Sequence, residues 1–212
     1  MECLTAPKES DSMSTPTPAG ASGTALPMPG SRKAYTSAKS ALEAEFRTGR
    51  RASKIVRAMR LIVDRHLKEI WRGANMPPGL ALIAVGGYGR GELFPNSDVD
   101  LLILLPAPPD SPLQQKLESL VGVLWDSGIE VGHSVRTVEE CVEAATQDIT
   151  VQTTLLESRL VHGNRALFRR FIAATVAALQ PASFLEAKLL EQQQRHSRYL
   201  QANLEPNLKE SP

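Results

Sequence analysis

The stretch VGGYGRGELFPNSDVDLLILL, residues 85–105, sets a glycine-dense turn shortly before two aspartates, then runs into a strand of leucines. Each glycine costs backbone entropy. Two carboxylates about 4 Å apart at an effective dielectric near 20 repel by roughly 4 kcal/mol. A fold keeps both expenses when the segment serves something besides folding.

Asp98 and Asp100 stand at i and i+2 where the strand begins, so their side chains share a face. Beyond them Leu102 and Leu104 fall on one face, Leu101, Ile103 and Leu105 on the other, which describes a central strand with carboxylates at its entrance. A cation between the acids offsets their repulsion. Mg²⁺ fits, being a hard ion that takes one or two carboxylates and shares its remaining positions with water and substrate phosphates. The alternative is a solvated turn at Asn96, Ser97 and Asp98, with Asp100 paired elsewhere.

The turn GGYGRG matches neither familiar phosphate motif. A dinucleotide fingerprint fails at Tyr88 or at Glu92, depending on which glycine starts it; a P-loop fails where Glu92 and Leu93 replace Lys and Ser/Thr. A strand entering Gly-Gly and a short helical turn exposes backbone N–H groups, a nest suited to phosphate. Arg90 adds a forked cationic contact. The plainer alternative is a tight turn that needs positive φ. Nest and acid pair together suit a metal–triphosphate complex, with Gly86, Gly87, Arg90 and Ser97 as candidate nucleotide contacts and Asp98 and Asp100 as candidate metal ligands.

Around this unit the pattern is α/β. Residues 1–34 are rich in Ser, Thr, Pro, Gly and Ala and read as a disordered tail. Residues 35–146 form the core domain and 147–212 a helical extension. Val56, Met59, Val63, Leu67 and Ile70 mark an amphipathic helix, and LALIAV a buried strand. Ser111 as cap and Pro112 open a helix carrying Leu113, Leu117, Leu120 and Leu124, stopped by Gly128. IEVGHSVR alternates as a third strand, and Thr137 with Glu140 forms a capping box for the next helix. Helices follow over 149–160, 165–179 and 184–203, the last opened by Ser183 and Glu186. The sum is a small mixed sheet flanked by helices.

Composition excludes several classes. Lys+Arg 24 against Asp+Glu 23 leaves no global field for nucleic acid or membrane. Cys3 and Cys141 make no disulfide framework or zinc knuckle, and no apolar run approaches a membrane span, so a soluble cytoplasmic protein is expected. His66, His133, His162 and His196 show no ligand spacing; His133 reads as a packed core residue and Cys141 as another. Arg47, Arg50, Arg51, Lys54, Arg57 and Arg60 read as a solvated helix face. Ser127, Ser134 and the histidines form no hydrolase triad.

Gly-Gly followed by Asp-x-Asp resembles the nucleotidyltransferase superfamily that includes DNA polymerase beta. The fuller wording of 85–105, with GIEVGHSVRTVEEC, DITVQTTLLESRLVHGN and NLEPNLKESP, is similar to the N-terminal domain of the bacterial PII uridylyltransferases, over about residues 40–212. The resemblance implies that Gly86 and Gly87 hold the UTP phosphates and that Asp98 and Asp100 bind Mg²⁺. It implies UMP transfer to a tyrosine hydroxyl of the trimeric regulator PII, with release of pyrophosphate. The family's third carboxylate, on a later strand, would fall at Gly132; Glu130, two residues earlier, is the acid available there. The family also continues into a uridylyl-removing His-Asp domain and glutamine-sensing domains; no His-Asp pair occurs here, so a truncated fragment without those functions is expected. A nucleotidyltransferase with another acceptor, or a non-catalytic nucleotide-binding module, are the alternatives.

Overall fold

A computed structural model describes residues 29–201 apart from 50, 95 and 96. Most of the expected tail, Arg50, Asn96 and the closing NLEPNLKESP lie outside the described residues. Helix α1 (Pro29–Arg47) begins six residues before the expected start of order, and α2 (Ala52–Gly73) follows it. Then come β1 (Ala81–Ala84), α3 (Gly86–Arg90), β2 (Val99–Leu105), α4 (Ser111–Asp126), β3 (Val131–Thr137) and α5 (Val138–Gln147). The chain continues through α6 (Ile149–Leu156), β4 (Arg159–Gly163), α7 (Arg165–Ala177) and α8 (Pro181–Gln201).

The sheet is mixed, in the order β3-β2-β1-β4; β2 and β3 run parallel, and β1 runs antiparallel to both β2 and β4. The strict alternation of β2 divides the core. Leu101, Ile103 and Leu105 pack with α1, α2 and α4 on one face, against Tyr35, Val63, Leu67 and Leu120. Leu102 and Leu104 pack with α5, α6 and α7 on the other, against Cys141, Leu155 and Phe171. Asp100 shares the second face by the same period of two. Each large apolar side chain fully buried in these layers contributes roughly 1.5–3 kcal/mol.

Other boundaries also differ from expectation, with β3 at Val131–Thr137 and α7 ending at Ala177. The expected helix over 149–160 stops at Leu156, and Arg159–Gly163 becomes a fourth strand. This strand is short, occupies the sheet edge and carries a register shift against Leu82 and Ile83, so its burial alternates poorly and hides the strand period. Asp110, not Ser111, caps α4: its carboxylate accepts from the Leu113 N–H at 2.9 Å, one residue before the expected cap. Helix α8 starts at Pro181, which suits the first helical position, so Ser183 lies inside it. On α2, Ile55 is buried and Val56 only partly so. The capping box at α5 forms as expected, with Thr137 N–H donating to Glu140 at 2.7 Å and Glu140 N–H donating to Thr137 Oγ1 at 3.2 Å. Cys141 is buried, whereas His133 is exposed and meets the Trp125 ring edge-on at 5.7 Å rather than entering the core.

Candidate active site

Antiparallel pairing brings the glycine turn and the acids together. Ala84, the last residue of β1, pairs with Leu101, so the chain leaving β1 passes the residues entering β2. The Val85 N–H donates to the Asp100 carbonyl at 3.1 Å. On the other side the parallel ladder sets Asp100 opposite Gly132. The Asp100 carboxylate therefore lies between two glycines. A Cβ on residue 86 would stand 3.7 Å from Oδ2, and one on residue 132 would stand 2.6 Å from Oδ1. The first glycine is also required by its φ of +59°. The second is required by contact alone: Gly132 leaves the room that the carboxylate occupies.

Asp98 is exposed, immediately before β2, and its charge reaches Asp100. Partial burial, then repulsion from Asp98, hold the Asp100 carboxyl above the usual aspartate range. The direction of this shift agrees with like-charge repulsion between the two acids, with burial as the larger cause. Among the described residues no group of three His, Cys, Asp or Glu side chains is gathered to hold a metal. The pair offers hard oxygen donors to an ion that completes its shell with water and phosphate, which suits Mg²⁺ better than a softer metal.

Helix α3 starts from Val85 in extended conformation, and no side chain caps it. It is anchored from below instead. The Tyr88 hydroxyl donates to Asp64 Oδ1 at 2.6 Å, and Arg159 clamps the same carboxylate through two N–H groups at 2.9 and 3.0 Å. The Arg159 guanidinium also lies over the Tyr88 ring, 5.1 Å from its centroid. Burial, then the Asp64 charge and hydrogen bond, push the Tyr88 phenol far above its ordinary value, so it serves as a fixed donor. This network joins α2, α3 and β4 beneath the turn. Gly89 sits so close to α6 that a Cβ there would meet the Glu157 carbonyl at 1.8 Å. Thr154, on α6, faces Gly86, its Cγ2 3.7 Å from where a Cβ would stand.

Sequence reasoning reached Gly86, Gly87, Asp98 and Asp100, and the structure brings these together. It missed Asp64, Tyr88, Arg159 and Thr154 because their partners lie up to 95 residues apart. Arg90 is beside the turn, near Gly87, but its guanidinium is held by Glu92 at 3.1 Å and by Glu157. Ser97 is exposed in the link before β2, its N–H donating to the Phe94 carbonyl at 3.1 Å. Glu130 is exposed just ahead of β3, its carbonyl accepting from Val99 N–H at 2.8 Å. Its charge bears on Tyr35 of α1, whose phenol is raised by burial, Glu43 and Glu130, whereas the carboxylate acting on Asp100 is Asp98. The structure does not add Glu130 to the acid pair.

Residues 64–152 match the family model described as "Nucleotidyltransferase domain". The chain is 53% identical over 176 residues to a "Bifunctional uridylyltransferase/uridylyl-removing enzyme" of Cupriavidus pinatubonensis, covering 82% of this chain and 20% of that protein. A protein of the same description from Cupriavidus metallidurans is 49% identical over the same length and coverage. The chain thus spans about a fifth of the length of these relatives. Among solved structures, a chain of a toxin–antitoxin crystal structure with AMP-PNP aligns over 65% of this chain and 98% of its own, at 18% identity and a TM-score of 0.34.

Proposed function

The chain carries a nucleotidyltransferase domain, and we propose that it transfers UMP from UTP to a tyrosine hydroxyl of a PII-type regulatory protein. The tyrosine oxygen bonds to the α-phosphorus, the bond from that phosphorus to the bridging oxygen breaks, pyrophosphate leaves, and the hydroxyl proton passes to solvent. The observation that carries this reading is the Asp100 carboxylate set between Gly86 and Gly132, beside a helical turn that no side chain caps. The names of the relatives support uridylyl transfer in particular.

Within this reading, the Gly86 and Gly87 backbone receives the triphosphate, with no side chain between it and the phosphate oxygens. Asp98 and Asp100 would hold Mg²⁺, which supplies charge neutralisation at the phosphates and lowers the pKa of the acceptor hydroxyl. A tyrosine hydroxyl near pKa 10 needs that help at neutral pH. The Asp64–Tyr88–Arg159 network holds the turn in register with Asp100. Arg90 reaches phosphate by exchanging Glu92 or Glu157 for it, and Ser97 contributes from the exposed link. The cytoplasm, with its UTP pool, is the setting this reading calls for.

A second reading rests on the absence of a three-carboxylate cluster among the described residues: a module that binds the nucleotide without transferring it. Incubation with α-labelled UTP, Mg²⁺ and purified PII separates the two. Label on PII that disappears with Asp98→Ala and with Asp100→Ala supports transfer through the acid pair. Label that persists in both variants refutes that assignment, and UTP binding without pyrophosphate release favours the module.

A further inference from the structure

At the end of the sheet away from Asp100, roughly 10 Å along β1 from Ala84, lies a cleft of about 740 Å³. It is bounded by the last turns of α2, the link over 74–78 and edge strand β4. Lys68, Arg72, His162 and Arg165 line it, with Trp71 and Leu160 among its apolar walls and no Asp or Glu. Among the described residues Lys68, Arg72 and Arg165 have no ion-pair partner.

Helix electrostatics account for only one of these cations. Arg72 lies in the last turn of α2, where positive charge is favoured. Lys68 stands one turn before it, and like charges at i and i+4 disfavour the helix. Arg165 opens α7, where the dipole disfavours a cation and the first turn offers no acidic residue. The walls are fixed. Asn164 caps α7 through Ala166 and Leu167 N–H at 2.9 and 3.0 Å, and donates its own N–H to the Leu80 carbonyl at 2.8 Å. Gly163 packs so tightly that a Cβ would meet that carbonyl at 2.3 Å. Burial, then the charges of Arg72 and Lys68, keep the His162 imidazole below its ordinary pKa. Uncompensated cations in a rigid cleft of small-molecule size are the signature of an anion site.

We propose that this cleft is a second binding site, separate from the acid pair, for a compact anion carrying two or more phosphate-type charges. Lys68, Arg72 and Arg165 supply charge-assisted hydrogen bonds, and Trp71 and Leu160 pack against the ligand's less polar part. The inference does not depend on the uridylyl-transfer reading.

Trp71 lines the cleft, and the chain has 2 tryptophans. Trp125, 65% exposed on α4, is remote, because α4 leads into β3 at the opposite sheet edge. Trp125→Phe therefore leaves one indole reporting on the cleft. That variant is titrated with inorganic pyrophosphate and, separately, with fructose 1,6-bisphosphate, without divalent cation. Saturable change in Trp71 emission with either probe is expected, the first indicating a free polyphosphate ligand and the second a phosphorylated organic one. Added Arg72→Ser or Arg165→Ser should weaken binding about tenfold or more, while added Asp98→Asn leaves it unchanged. No saturation with either probe overturns the proposal, as does binding insensitive to both arginine variants or abolished by Asp98→Asn. Binding of a poly-glutamate peptide in place of both probes also overturns it, and marks the cleft as a protein-docking surface.

Discussion

Asp100 and Gly132 face each other across the parallel β2–β3 ladder, and a Cβ on residue 132 would lie 2.6 Å from Asp100 Oδ1. Gly132→Ala must therefore turn the carboxylate away or part the strands. A displacement of about 1 Å at a reacting centre can cost on the order of a hundredfold in rate. We expect the proposed uridylyl transfer to fall by about that factor while circular dichroism stays native, measured as kcat with saturating UTP. Full activity in Gly132→Ala would show that the orientation of Asp100 does not matter.

The Asp100 carboxyl titrates above its unfolded value because of burial and Asp98. For a carboxyl raised in the folded state, the native protein binds more protons than the unfolded chain between the two pKa values. Stability is then highest below the unfolded pKa and is lost as pH rises through the folded one. Urea unfolding across that window should show wild type losing stability relative to Asp100→Asn. At neutral pH, millimolar Mg²⁺ should raise the melting temperature of wild type and leave that of the variant unmoved. Equal pH profiles for the two proteins would remove the repulsion from the account.

How much of this was legible beforehand follows from the range of each interaction. The alternation of β2, the short turn at α3 and the capping box at α5 are written in local spacing, and they reached the fold intact. The spacing of the acid pair was legible for the same reason, Asp98 standing just before β2 and Asp100 two residues on, within it. Strand β4 was not, because Arg159–Gly163 becomes a strand through pairing with β1, almost 80 residues away. The Asp64 network was invisible for the same cause: an aspartate within a helical pattern looks like solvated surface until tertiary structure supplies Tyr88 and Arg159. Glu130, which the sequence places on the third strand, stands just before β3 begins, because the ladder with β2 opens at Val131.

That network is expected to be a large local contributor to stability. Asp64→Ala leaves the half-buried Arg159 without its carboxylate, and breaking such a pair typically costs about 3–5 kcal/mol. Tyr88→Phe removes one hydrogen bond to a charged group and should cost about 1.5–3 kcal/mol. The double variant should cost less than the sum, because both deletions remove the same bond. Chemical denaturation of the cycle measures the coupling, and strict additivity would mean that the pair does not act as a unit.

The glycines of the turn should separate into two kinds. A Cβ at Gly87 would meet its nearest neighbours, the Glu92 carbonyl and Arg90 Nη2, at 3.6 and 3.7 Å, an ordinary van der Waals distance. Gly87→Ala should therefore fold with a melting temperature close to wild type. On the proposed reading it should still weaken UTP binding, because the added methyl would intrude on the backbone assigned there to the phosphates. A Cβ at Gly89 would lie 1.8 Å from the Glu157 carbonyl and 2.9 Å from that of Ala84. Neither oxygen can withdraw without moving α6 or β1, so Gly89→Ala should destabilise by several kcal/mol, as overpacking against backbone does. Thermal unfolding and UTP titration of the two variants form the test. A stable Gly89→Ala protein would mean that α3 and α6 are less tightly apposed than described, and undiminished UTP affinity in Gly87→Ala would remove that glycine from the phosphate site.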